Sequence, residues 1–122
     1  MDHAPLLQGR CHCGAVTLSV PASSAGVVAC HCDDCRRLHG NFFALLAADR
    51  DAVELTGAES VRRYASSATV ERGFCARCGS RLFKDAQGSP RLLVSAGLFG
   101  AVTGKTIVRH LWEGSKADWY EL

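Results

Sequence analysis

The chain reads as a mainly β protein, and three observations predict it. Apolar segments are short, either alternating with polar residues or running for only a few positions. Turn residues separate them at close intervals. No long stretch carries apolar residues at the 3.6-residue spacing of an amphipathic helix. Val16, Leu18 and Val20 alternate with Thr17 and Ser19 as a half-buried strand does. Pro21 and the stretch Ala22-Ser23-Ser24-Ala25-Gly26 form a loop, and Val27-Val28-Ala29 is a short strand leading into a cysteine cluster. Phe42 to Ala48 is a continuous apolar run, read as a buried strand, although Ala and Leu also allow a helix. Val53-Glu54-Leu55 and Val61-Arg62-Arg63-Tyr64 follow, with Gly57 between them. Thr69 to Phe74 then alternates Val70, Arg72 and Phe74 and enters the last cysteine cluster. Arg81-Leu82-Phe83, Leu92-Leu93-Val94 and Ile107-Val108 complete the strands. One or two helical turns after Cys35 are the best helical candidate. No repeat, low-complexity segment or linker divides residues 1–122, so the chain is expected to be a single domain.

Composition narrows the function classes. Hydrophobic residues make up 48% and charged residues 21% of 122 positions, an ordinary globular balance. A chain of this length buries a core without help, so any metal has to be justified by its own ligands. A net charge of +2 is too weak a bias to predict a nucleic-acid partner. No apolar run approaches the ~18–20 residues that span a bilayer, so no membrane association is expected. The start, Met1-Asp2-His3-Ala4-Pro5-Leu6-Leu7-Gln8, lacks a basic n-region and a long apolar h-region. These features predict a cytoplasmic protein whose thiols stay reduced.

The informative residues are the seven cysteines. They fall in three clusters: Cys11-His12-Cys13, Cys30-His31-Cys32-Asp33-Asp34-Cys35 and Cys75-Ala76-Arg77-Cys78. An odd number leaves one cysteine over in a closed disulfide framework. Two thiolates one or two residues apart face one point when a tight turn folds them together, and backbone N–H groups of the turn can donate to the sulfurs. Gly14 and Gly79 each follow the second cysteine of a pair, where a residue at positive φ lets the chain leave the turn. Zinc favours tetrahedral thiolate cages, so pairing the first and third clusters gives a closed structural site of Cys11, Cys13, Cys75 and Cys78. The middle cluster keeps three thiolates, Cys30, Cys32 and Cys35. Three protein ligands leave a fourth position for water or substrate, the pattern of a reactive zinc site. Two Zn²⁺ per chain are therefore expected. Three thiolates donate strongly, which suits activation of a thiol better than hydrolysis by zinc hydroxide.

The neighbours of the middle cluster carry further readings. His31 stands between two ligands and either points away from the metal or carries a proton. It is the histidine assigned to catalysis alongside Cys30, Cys32 and Cys35. Arg36, Arg37 and His39 either form a solvated basic face, offset the charge of the site, or hold a substrate carboxylate. Asp33 and Asp34 are expected to shape the turn through side-chain to backbone bonds. Phe42 and Phe43 pack in the core or wall the open site.

The three motifs in this order resemble the glutathione-dependent formaldehyde-activating enzyme family, also called the centromere protein V/GFA domain. The matching segments are Gly9-Arg10-Cys11-His12-Cys13-Gly14-Ala15-Val16, then Cys30-His31-Cys32-Asp33-Asp34-Cys35-Arg36 with Gly40 and Phe42-Phe43. Phe74-Cys75-Ala76-Arg77-Cys78-Gly79 and Ser115-Lys116-Ala117-Asp118-Trp119-Tyr120 follow. The resemblance spans nearly the whole chain, and the combined order of motifs is specific where one knuckle is not. It implies an Mss4-like fold of small antiparallel sheets stapled by zinc. It also implies structural zinc on Cys11, Cys13, Cys75 and Cys78 and a second zinc on Cys30, Cys32 and Cys35. The activity it implies is carbon–sulfur lyase or synthase chemistry, in which glutathione or a similar small thiol adds to formaldehyde or another small aldehyde.

Two other readings stand beside the enzyme. One is a non-catalytic zinc module that binds a macromolecule. The other is a redox dithiol among Cys30, Cys32 and Cys35, which the C-x-C spacing disfavours.

Overall fold

The computed structural model describes residues 5–23 and 25–122. The expectation for the first four residues and for Ser24 in its loop lies outside the described residues. The architecture is mainly β: ten strands, one α-helix and four short 3-10 turns among the described residues.

Strands β1 (Leu6–Arg10), β2 (Thr17–Pro21) and β5 (Glu54–Thr56) form a three-stranded antiparallel sheet with β2 in the middle. The remaining strands are β3 (Val27–Cys30), β4 (Phe43–Asp49), β6 (Val61–Ala65), β7 (Val70–Cys75), β8 (Arg81–Ala86), β9 (Arg91–Ser95) and β10 (Ile107–Leu111). They form a seven-stranded sheet in the order β10-β3-β4-β9-β8-β7-β6. This differs from the expected small antiparallel sheets. One sheet is large, and β10 runs parallel to β3, because the chain crosses back from β9 through residues 96–106 to reach the far edge.

The apolar run from Phe42 is strand β4 rather than a helix. It lies between β3 and β9, where Phe43, Leu45, Leu46 and Ala48 are buried, so a continuous apolar sequence fits a central position. The strand β1 went unrecognised in the sequence. Only Gly9 of its five residues is buried, so it carries no alternation to detect. On β2 the alternation is blurred, since Ser19 is buried between Leu18 and Val20.

The helix α1 (Asp33–His39) starts earlier than expected and contains Cys35. Cys32 is its N-cap: the sulfur accepts the backbone N–H of Cys35 at 3.3 Å, as a capping oxygen would. Asp33 and Asp34 fill the first turn and Arg36, Arg37 and His39 the last, complementing the helix dipole. Gly40, at φ 89°, ends the helix by donating its N–H to the carbonyl of Arg36.

The main core joins Leu18 and Val20 of β2 to Leu46, Leu82, Phe83 and Val94 of the large sheet, and includes Cys11 and Cys75. A smaller cluster gathers Phe43 and Leu45 around Cys30 and Cys35. Each cysteine site is thus anchored in its own apolar cluster.

Candidate metal centres

The four cysteines of the first and third motifs converge. Cys11 follows β1, and its carbonyl accepts the N–H of Gly14 at 3.1 Å, closing a tight turn that Gly14 leaves at φ 82°. Cys75 ends β7, and its carbonyl accepts the N–H of Gly79, which sits at φ 80°. All four sulfurs lie within 4.8 Å of one another. Sγ–Sγ distances are 3.6 Å for Cys11–Cys13 and 3.8 Å for Cys13–Cys75. A tetrahedron with metal–sulfur bonds of ~2.3 Å places its sulfurs ~3.8 Å apart, so the donor set fits a zinc ion.

The cage is held from outside by Ser80. Its hydroxyl accepts the N–H of His12 at 2.9 Å and lies 3.2 Å from the sulfur of Cys78. That hydrogen bond leads the causes that pull the Cys78 thiol down to about 5. The backbone N–H of Val16 donates to Cys11 Sγ at 3.3 Å. Sequence reasoning missed Ser80, whose only signal is its place directly after the Cys78-Gly79 knuckle.

Cys30, Cys32 and Cys35 form the second cluster, again with sulfurs within 4.8 Å of one another. Cys30 comes from the end of β3, Cys32 from the helix cap and Cys35 from the first turn of α1, so a strand-to-helix turn supplies all three. Cys30 and Cys35 are buried and Cys32 is half-buried, which makes Cys32 the exposed side of the trio. The Cys30 thiol is drawn down to about 7, first by a hydrogen bond from Cys35. Cys35 is pushed up by the same bond and by burial, and Arg72 opposes that rise.

Arg72, on β7, is the residue the sequence did not single out for this site. It is 5% exposed and donates from Nη1 to Cys35 Sγ at 3.4 Å and from Nε to Ser66 Oγ at 3.1 Å. A signal existed: a charged residue alternating with Val70 and Phe74 on a strand that ends in a metal-type knuckle.

His31 points into a different environment from its neighbours. Its ring is fully buried and packs against Phe42, His110 and Tyr120, with centroids 5.2–5.6 Å away. Nε2 lies 2.9 Å from Nδ1 of His110, while Nδ1 is buried without a hydrogen-bond partner. Burial, then the neighbouring His110, hold its pKa below the ordinary histidine value. The ring is not among the groups converging on the second cluster.

Asp33 is engaged by side chains rather than by the turn backbone. It forms ion pairs with Arg36 and Arg37, and Arg36 also donates to the carbonyl of Ser115 at 2.8 Å. The two arginines thus tie the helix to itself and to the C-terminal segment. His39 stacks on Phe43 with centroids 4.4 Å apart and planes 9° from parallel.

Comparison with known proteins places the chain in a family. The family model described as glutathione-dependent formaldehyde-activating enzyme matches residues 6–115. A Schizosaccharomyces pombe protein named "Uncharacterized lyase" is 30% identical over 119 residues, covering 96% of this chain and 85% of the relative. A Halomonas elongata protein named "Putative glutathione-dependent formaldehyde-activating enzyme" is 31% identical over 130 residues, covering 96% and 81%. A crystal structure of a Rhodobacter sphaeroides protein superposes with a TM-score of 0.68 at 25% identity, over 84% of this chain and 98% of that one.

Proposed function

We propose, from the premise that the chain belongs to the glutathione-dependent formaldehyde-activating enzyme family, that it makes or breaks a carbon–sulfur bond between a small thiol and a small aldehyde. The observation that carries this reading is the trio Cys30, Cys32 and Cys35, left with three converging sulfurs beside a complete four-sulfur cage. In this reading residues 1–122 are a single zinc domain of Mss4-like type. Cys11, Cys13, Cys75 and Cys78 staple the two sheets, and the second cluster is the reactive centre.

Zinc held by three thiolates supplies one thing: acidification of an incoming thiol at neutral pH without loss of its nucleophilicity. The chain supplies the rest. Cys32 lies on the accessible side, so the thiol approaches there. The thiol sulfur attacks the aldehyde carbon, a C–S bond forms, and the carbonyl π electrons move to oxygen, which takes up a proton to give a hydroxyalkyl thioether. The reverse step expels the thiol. Arg72 offsets negative charge on the sulfurs through Cys35. His31 is assigned the proton, a role supported by its unpartnered Nδ1 and its link through Nε2 to the half-exposed His110.

The test is thioether formation from glutathione or simpler thiols and formaldehyde, with zinc measured per chain on protein kept free of oxygen and chelator. The expected result is about two zinc ions. Cys32→Ser should lose turnover while keeping its fold and the first zinc. Full activity in Cys32→Ser would overturn the mechanism. The burial of Cys30 and Cys35 favours a second reading, a non-catalytic zinc-binding interaction module. That reading gains if no thiol–aldehyde pair turns over in protein carrying both metals.

A further inference from the structure

A cavity of about 410 Å³ lies between the C-terminal half of α1 and strands β6, β7 and β8. None of the three motifs accounts for it, and no cysteine lines it. Its walls are carbon-rich: Leu38 from the helix, with Tyr64, Phe74 and Phe83 from the three strands. Its polar edge is cationic, made of Arg63, Arg72 and Arg81, and no acidic residue lines it.

The three arginines are not equivalent. Arg63 lies 2.8 Å from Asp85 and 3.3 Å from Glu71, so its charge is answered. Arg72 and Arg81 have no carboxylate partner among the described residues. Arg81 donates from Nε to the carbonyl of Leu38 at 3.3 Å, and its guanidinium carbon sits 5.6 Å from the centre of the Phe74 ring. Both Nη groups of Arg81 and Nη2 of Arg72 are left without a hydrogen-bond partner among the described residues. His39 lines the same cavity and is kept neutral, its pKa lowered to about 4 by burial and then by Arg72 and Arg81. An apolar chamber with the unpaired guanidinium of Arg81, the free Nη2 edge of Arg72 and a neutral imidazole is complementary to an anion with an apolar body.

We infer that this cavity is a binding site for a small apolar, preferably aromatic, molecule carrying one carboxylate or sulfonate. The rings of Phe74 and Tyr64 and the side chain of Leu38 enclose its body, and Arg81 and Arg72 receive its anionic group. Glutathione is a poor match. It carries two carboxylates, an ammonium and two amides, and carbon walls leave most of those groups unpaired. Because Arg72 also donates to Cys35, the occupant and the second cysteine cluster share one guanidinium. The inference goes beyond the carbon–sulfur reading and does not depend on it.

The test is calorimetric titration of the zinc-loaded protein with 4-phenylbutyrate and, separately, with its neutral analogue 4-phenylbutan-1-ol. The acid is expected to bind in the range of about 1 mM or tighter, and at least about tenfold tighter than the alcohol. Arg81→Met should remove that preference, and Leu38→Trp should fill the chamber and abolish binding. Both should keep the wild-type zinc content. Arg81 is exposed, so its replacement leaves the fold intact if Leu38→Trp does not. Equal affinity for acid and alcohol, no binding of either, or acid binding unchanged in Arg81→Met would each overturn the inference. Binding is read without turnover, so failure of thiol–aldehyde activity and failure of this site give separate results.

Discussion

Nη1 of Arg72 stands 3.4 Å from Sγ of Cys35, joining the middle strand of the β6–β7–β8 edge to the helix that carries the second cysteine cluster. The guanidinium is buried, and its other hydrogen bond goes to the neutral hydroxyl of Ser66. A buried cation needs a counter-charge, and in the proposed zinc-bound form the ionised cysteines of the second cluster would provide one. Replacing Arg72 with Met should therefore weaken zinc at the second cluster by about 10- to 100-fold, the usual scale for a group that hydrogen-bonds a ligand. The first cluster should be unaffected. Competition against a chromophoric chelator resolves the two sites, and equal affinities in wild type and variant would refute the coupling.

The Phe83 ring occupies the space in front of Gly73, its cross-strand partner. A Cβ added to Gly73 would lie 2.3 Å from the ring. The guanidinium of Arg63, the cross-strand partner of Gly73 on its other side, lies over the same ring, 4.9 Å from the centroid. Gly73→Ala must move Phe83 out of the main core, at a cost of about 1–3 kcal/mol. Urea denaturation of the zinc-loaded protein measures it, and an unchanged midpoint would show that the ring has somewhere else to go.

The grouping of the cysteines was legible because spacing in sequence becomes distance in space across a single turn. Cys11 and Cys13, and Cys75 and Cys78, each share one knuckle, and the positive φ of Gly14 and Gly79 follows from the need to leave it. The cage between the two knuckles was legible too, because four sulfurs close a tetrahedron and three do not. What stayed hidden depends on contacts between distant segments. Arg72 meets Cys35 across 37 positions, and His31 meets His110 across 79. The alternation around Arg72 marks it as unusual, but no local pattern says which distant residue either side chain meets. The strand β1 was invisible because most of its residues face away from the core. The start of α1 was misplaced because a cysteine, not a serine or aspartate, occupies its cap.

The two clusters should differ in what they contribute to the fold. Cys75 is fully buried in the main core and ends a strand, whereas Cys32 is half-buried at a helix cap. If the cage holds zinc as proposed, its loss would remove both the metal and the tie between β1 and β7. Cys75→Ala is expected to destabilise the zinc-loaded protein by about 3 kcal/mol or more, and Cys32→Ala by clearly less. Thermal melts of the two variants, read beside their zinc content, decide it. A Cys32→Ala variant as unstable as Cys75→Ala would make the second cluster structural as well.

His39 gives the protein an acid-sensitive element outside the two sets of converging cysteines. Its ring stacks on Phe43 and is held neutral, with its pKa lowered from 6.5 to about 4 by burial and then by Arg72 and Arg81. In the unfolded chain the imidazole takes a proton near pH 6.5. Between about pH 6.5 and 4 the unfolded state therefore binds more protons than the folded one, and stability falls as pH falls. Above 6.5 both states are neutral and the contribution is constant. His39→Phe keeps a ring on Phe43 and removes the titration. The stability difference between wild type and this variant should be flat above pH 6.5 and should move against the wild type on acidification toward pH 4. Asp33, Asp85 and the cysteines titrate in both proteins and cancel in the difference. Denaturation curves collected at half-unit pH steps measure it, and parallel curves across the whole range would mean that the folded protein lets His39 take up its proton at the ordinary pH.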